Sequence, residues 1–177
     1  MPAPVLSVAA TGEYSLPLVR CAQLLASCAE VQAMFGDVSA SDAFDQIDYP
    51  LRDVESYGEA LPGITVGGMK QKAGYNGDQS GEIEIALYDA INADFAQDGD
   101  TPIDWKNDAL EWLNRCGAIR TQMKALSKTP LADFSGVRFN AIKWVDQCYP
   151  THVYSELDSD GPVKWFRFAV FTVEWTT

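Results

Sequence analysis

The chain has 177 residues, 47% of them apolar, and no uninterrupted apolar run approaches the roughly 18 residues of a membrane span. Its 25 acids against 13 Lys and Arg give a formal net charge of -12, which repels phosphate at long range and argues against a nucleic-acid binder of the counterion-releasing kind. The length suits one domain with a continuous core and no need of disulfide or metal staples, and no basic stretch precedes an apolar one at the N-terminus, so no leader is expected.

Residues 1–14 lack periodicity and read as an arm, leaving 15–177 as a single domain. Ser15 offers an N-cap, and Leu18, Cys21, Leu25, Cys28, Val31 and Phe35 recur at helical spacing, predicting one amphipathic helix from Ser15 to about Phe35. Pro17 is tolerable in the first turn, where its missing N–H has no intrahelical partner, and Gly36 is a natural stop. From Asp37 to Glu59 seven acids (Asp37, Asp42, Asp45, Asp48, Asp53, Glu55, Glu59) face one base, Arg52. This stretch, about 37–60, reads as a partly extended acidic loop. Three aspartates at three-residue intervals suggest a cation site, but a calcium loop needs acids at alternate positions, a central Gly and a distal Glu. A solvated acidic face is the plainer reading.

Leu61 to Met69 and Glu82 to Tyr88, separated by the turn residues Gly74-Tyr75-Asn76-Gly77-Asp78, predict a hairpin with Ile83, Ile85 and Leu87 inward. Its glycines do not fit a phosphate loop, because Lys70 is followed by neither Ser nor Thr, so they read as turn or bulge positions. Thr101-Pro102-Ile103-Asp104 then supplies an N-cap, a proline at the first helical position and an early acid. Ala109, Leu113, Cys116, Ile119, Met123 and Leu126 follow at steps of three and four, predicting a second helix over 102–127. Trp105 and Trp112 either widen its buried stripe or offer a contact to another subunit.

Val137–Val145 and Thr151–Leu157 read as strands, and the turn signal Asp158-Ser159-Asp160-Gly161-Pro162 leads into the strongest strand signal of the chain, Val163–Trp175. Alternation places Trp165, Arg167, Ala169, Phe171, Val173 and Trp175 on one face, with Phe166, Phe168 and Val170 on the other. Both faces are apolar in the middle, so this strand belongs inside a sheet or against a second chain. Together the elements give an α+β fold, a mainly antiparallel sheet with two amphipathic helices packed on one face.

Chemistry-bearing constellations are sparse. The chain has one histidine, His152, and no G-x-S-x-G elbow, which removes triad hydrolases. Its four cysteines (Cys21, Cys28, Cys116, Cys148) form no C-x-x-C pair and fit buried free thiols made in a reducing cytoplasm. No catalytic, cofactor or metal residues are assigned, so the chain reads as a non-enzyme, although paired carboxylates for acid–base work are not placed in space by the sequence.

The order of helix Ser15–Phe35, acidic loop, hairpin Leu61–Tyr88, helix Pro102–Ser127 and a closing strand ending Phe171-Thr172-Val173-Glu174-Trp175 resembles a tail terminator, or tail-completion protein, of long-tailed bacteriophages. The resemblance is one of arrangement over most of the chain. It implies an α+β domain with helices on one side of its sheet, and a virion protein of the tail or neck assembled in the host cytoplasm. Such proteins form a hexameric ring that caps the tail tube and joins it to the head–tail connector, with DNA passing through unbound and no membrane involved. The acidic loop and the insertion Asp94–Asp100 depart from the simplest members and leave the position within the neck open. A head-closure or tail-tube subunit is the alternative within this class. A cytoplasmic binding module or a carboxylate enzyme is the alternative outside it. On this reading Asp37, Asp42, Asp45, Asp48, Asp53, Glu55 and Glu59 are the candidate lumen or partner face, and Trp105, Trp112, Trp165, Phe171 and Trp175 the candidate subunit interface. The charge split, with seventeen acids and four bases before residue 106 and eight and nine after it, fits non-identical faces that meet in a ring.

Overall fold

A computed structural model describes residues 15–49, 62–73, 79–90, 102–128, 137–144, 153–156 and 164–177. These form helices α1 (Ser15–Ala26), α2 (Ala29–Met34), α3 (Ala40–Asp45) and α4 (Pro102–Leu126), with strands β1 (Ile47–Asp48), β2 (Gly63–Ala73), β3 (Gln79–Ala90), β4 (Arg138–Trp144), β5 (Val153–Glu156) and β6 (Lys164–Thr176). The fold is α+β. One six-stranded sheet runs in the order β1-β2-β3-β6-β4, with β5 also against β6. Every pair in it is antiparallel except β1 with β2.

The expected first helix is two helices. At the break the Ser27 amide and Oγ both donate to the Gln23 carbonyl, at 3.1 and 2.8 Å, the Cys28 amide tightens onto the Leu25 carbonyl at 2.8 Å, and Cys28 turns extended (φ -77, ψ 126). Gln32 Nε2 donates to the Ala26 carbonyl at 2.9 Å, so the group freed by the break is satisfied. The apolar stripe crosses the break intact, with Cys21, Leu25, Cys28 and Val31 fully buried. Gly36 ends α2 as expected, in the left-handed region at φ 93, and Asp37 follows it there at φ 58.

The first half of the expected acidic loop is structured. Ser39 caps α3, its Oγ donating to Asp42 Oδ2 at 2.6 Å and accepting from the Asp42 amide at 3.2 Å. That reciprocal cap was present in the sequence as Ser39-x-x-Asp42. It positions Ala43 and Phe44 inward, after which Ile47 and Asp48 pair with Ile64 and Thr65 as an edge strand. Asp53, Glu55 and Glu59 lie outside the described residues.

The hairpin forms as expected, with Ile83, Ile85 and Leu87 fully buried. A bulge between Gly67 and Lys70 uses Gly68 at φ 57, a conformation that L side chains rarely take. Gly81 is required for a different reason, since a Cβ there would lie 2.2 Å from the Lys70 carbonyl oxygen and 2.8 Å from the Trp175 indole nitrogen. Backbone cannot swing aside as a side chain does. Gly81→Ala is therefore expected to destabilise by about 2–3 kcal/mol, the upper part of the overpacking range, as a lowered urea midpoint at unchanged m-value. An unshifted midpoint would show that β2 yields freely here.

β6 lies inside the sheet. β3 pairs along one edge, from Ser80 opposite Thr176 to Ala90 opposite Phe166, and the other edge is shared by β4 near the C-terminal end and β5 near the start. Strand register puts Ile47, Ile64, Leu87 and Ala169 in one inward row, Val66, Ile85 and Phe171 in a second, and Ile83, Val173 and Ile142 in a third. All belong to one core cluster with residues of the four helices, so the helices cover this face. Helix α4 has the expected ends. Its buried stripe is Trp112, Cys116, Ile119 and Met123; Ala109, expected inside, is exposed. No helix among the described residues is long and apolar enough to cross a membrane.

Candidate functional site

Strand alternation leaves a second sheet face, away from the helices, and its two ends differ chemically. Thr65, Tyr88 and Val170 form its apolar end, each 8% exposed or less, with Phe168 partly buried beside them. Gly63 admits this arrangement, because its missing Cβ would lie 2.0 Å from the Tyr88 ring. At the other end a charged row crosses the strands, Lys70 opposite Glu82 and Glu82 opposite Glu174. Lys143 on β4 donates to Glu174, which raises the lysine pKa through that hydrogen bond and the carboxylate charge. Lys70 lies 4.0 Å from Glu84. The like charges of Glu82 and Glu174, directly opposed, repel unless cations flank them, and the two lysines do so. A shallow groove of about 250 Å³ opens here, between Lys70, Ser80, Glu82, Asn140, Glu174 and Thr176.

The candidate acids divide. Asp37, Asp42 and Asp45 are exposed on and beside α3, and Asp48 is half-buried on β1, so the fold gathers these four at the β1 edge of the sheet. Among the described residues no group of three or more His, Cys, Asp and Glu could hold a metal ion, and the regular spacing of Asp42, Asp45 and Asp48 is not a ligand cage.

The aromatic candidates for a subunit interface need correction. Trp112 is 3% exposed, and Phe171 and Trp175 are fully buried in the chain's own core. Their position on the helix-covered side of the sheet leaves no surface to offer a neighbour. The side chains of Trp105 and Trp165 lie outside the described ones.

Sequence reasoning missed a charged cluster between α4 and the sheet. Arg167, facing the core on β6, donates to the Asp108 carbonyl at 2.9 Å and pairs with the Asp108 carboxylate, with Asp89 opposite it across the strands. Burial pulls the guanidinium pKa down, and Asp89 acts against that. Arg115 on α4 bridges Asp89 at 2.9 Å and Glu30 on α2 at 3.5 Å. Gln122 receives the Glu30 amide at 3.0 Å, so α2 is tied to α4 at its first turn. The available signal was an arginine in an otherwise apolar row, since an inward charge demands a carboxylate partner. Arg167→Ala, which leaves the Asp108 carboxylate without its cation while Asp89 keeps Arg115, is expected to cost about 2–4 kcal/mol in urea unfolding, discounted from the fully buried case because Asp108 is partly exposed. A loss under about 0.5 kcal/mol would show that solvent already screens the pair.

Three buried cysteines, Cys21, Cys28 and Cys116, are free. Burial pushes the Cys28 and Cys116 thiols up to about 12 and Cys21 in the same direction. Such thiols are inert as nucleophiles. His152 and Cys148 lie outside the described residues. Comparison with known protein families finds none that matches the chain, and a search of curated proteins finds no match either. The candidate site is thus the sheet face that carries no helix among the described residues, with its charged edges.

Proposed function

We propose that the chain is a structural virion protein of a long-tailed phage, a tail terminator that caps the tail tube as a hexameric ring and joins it to the head–tail connector while leaving a channel for DNA. One observation supports this most: among the described residues a mostly antiparallel sheet carries its helices on a single face, the architecture that the resemblance implies. The exposed aspartates of the β1 edge add a surface that repels the DNA backbone. Folds host many functions, so the test belongs at the level of assembly.

Co-expressed with the tail tube protein of its own phage, the chain is expected to cap tubes of uniform length with a six-fold ring seen by electron microscopy. Open-ended tubes of unregulated length in its presence would refute the reading. Asp45→Lys with Asp48→Lys is expected to disturb capping or DNA passage, and unchanged infectivity would remove these acids from any lumen or partner face.

A further inference from the structure

We infer that the exposed side of α4 docks an acidic amphipathic helix of another protein, whether or not the phage reading holds. Along α4, Lys106, Leu110, Leu113, Gly117, Thr121 and Lys124 follow one another at steps of three and four, so they form one stripe. It runs to the side of the buried stripe Trp112, Cys116, Ile119 and Met123, and a helix that packs on one core needs only one apolar stripe. The second one is open. Leu110 is 56% exposed, the one large apolar side chain left so among the described residues; Lys106, Gly117, Thr121 and Lys124 are exposed beside it, and Leu113 is half-buried.

Gly117 lies at the centre of this stripe, and the chain itself gives no reason for it. It is not among the glycines at positive φ, and a Cβ there would meet nothing within 4 Å. Neither backbone strain nor crowding within the chain therefore requires glycine, which in a helix interior weakens the helix relative to alanine. What it does supply is a gap of one side chain between Leu113 and Thr121. A second helix can set a bulky residue there and bring its axis to about 8 Å, the close end of the usual range.

The ends of the stripe decide what fits it. Lys106 and Lys124 bracket the apolar middle, Lys128 follows one turn later, and no acid lies among them on the stripe. These lysines are exposed and have no anionic partner among the described residues. At 1.5 Å per helical residue Lys106 and Lys124 stand about 27 Å apart, so the complementary helix carries Asp or Glu at both ends of an apolar row of about five turns. A second copy of this chain does not fit, because two such stripes oppose lysine to lysine whether they pack parallel or antiparallel. An anionic membrane fits less well than a helix: the net charge of -12 repels it at long range, and a glycine at the centre removes apolar surface that a bilayer would take up.

The test measures fluorescence anisotropy of a labelled synthetic helix against the purified full chain. The peptide has about 25 residues, long enough to span both lysines, with leucines at steps of three and four and glutamates in its first and last turns; a twin carries lysines in place of the glutamates. The acidic peptide is expected to bind in the micromolar range and to weaken as salt is raised, and the twin not to bind. Lys106→Glu/Lys124→Glu should weaken the acidic peptide at least tenfold and gain the twin. Gly117→Leu should also weaken it at least tenfold while raising the urea midpoint, opposite signs that a glycine needed only for the fold does not give. Gly117→Ala is the milder variant, with the same two signs and a several-fold loss, and circular dichroism shows that each variant folds. An acidic peptide binding more weakly than about 1 mM, equal binding of both peptides, or wild-type affinity in Gly117→Leu would overturn the inference. Binding to phosphatidylglycerol vesicles that Gly117→Leu strengthens would overturn it too, and assign the stripe to a membrane.

Discussion

Trp175→Ala is expected to destabilise the isolated chain by about 3–5 kcal/mol. The indole is fully buried at the end of β6, packed over Gly81 and in line with Phe139 of β4. Truncation removes its contacts with both neighbouring strands, and the surrounding backbone, already in ladders on each side of β6, cannot collapse into the space. The indole nitrogen is buried without a hydrogen-bond partner, so Trp175→Phe is expected to cost much less, because it trades some volume for the loss of an unsatisfied donor. Urea unfolding of a dilute, monomeric sample measures both. Were Trp175 a subunit contact instead, the alanine variant would keep the wild-type midpoint when dilute and fail only in assembly. That result would place the residue where its sequence pattern first suggested.

Alkaline pH is expected to unfold the chain through its buried thiols. A thiol ordinarily ionises near 9, and burial holds Cys28 and Cys116 up to about 12 in the folded state, with Cys21 shifted the same way. Between those values the folded state keeps protons that the unfolded state releases. The stabilisation is therefore whole below about pH 9 and is lost as pH rises through the folded values, at up to about 1.4 kcal/mol per pH unit for each thiol. Tyr49, pushed up to about 12 by burial and then by Cys21, adds to the slope above pH 10. Three thiols together lose about 4 kcal/mol per unit, so a domain of ordinary stability unfolds between about pH 10 and 11. Urea midpoints at pH 8, 9.5 and 10.5 should fall steeply over the last two, and Cys28→Ala/Cys116→Ala should flatten the fall. Iodoacetamide at pH 8 should modify these cysteines only at the rate of unfolding. Equal slopes in wild type and the double variant would show that the thiols ionise in place.

Much of the fold was legible in the sequence because its signals are local. The limits of α4 follow from Thr101-Pro102 and Pro130, and the hairpin from its turn residues and the alternation Ile83-Glu84-Ile85, none of which needs knowledge of the rest of the chain. Misreadings arose where two local signals compete. The 3.6-residue stripe ran unbroken through Ser27 and hid a break made by one extended residue, Cys28. The density of acids after Asp37 masked the cap Ser39-x-x-Asp42 and the buried Phe44 and Ile47.

The candidate site was legible only as a list of charges. The sequence by itself determined the element order, the inward rows of the hairpin and of β6, and the excess of acid in the first part of the chain, since each depends on residues within a few positions of one another. Only the tertiary structure decided which of those residues meet. It put Trp112, Phe171 and Trp175 in the core, because the helices cover the sheet face that they share, and it drew Arg167 to Asp108 across 59 positions of chain. It also set Asp45 and Arg138 at opposite edges, because strand order is fixed by pairing at long range, and that order carries no mark in local sequence.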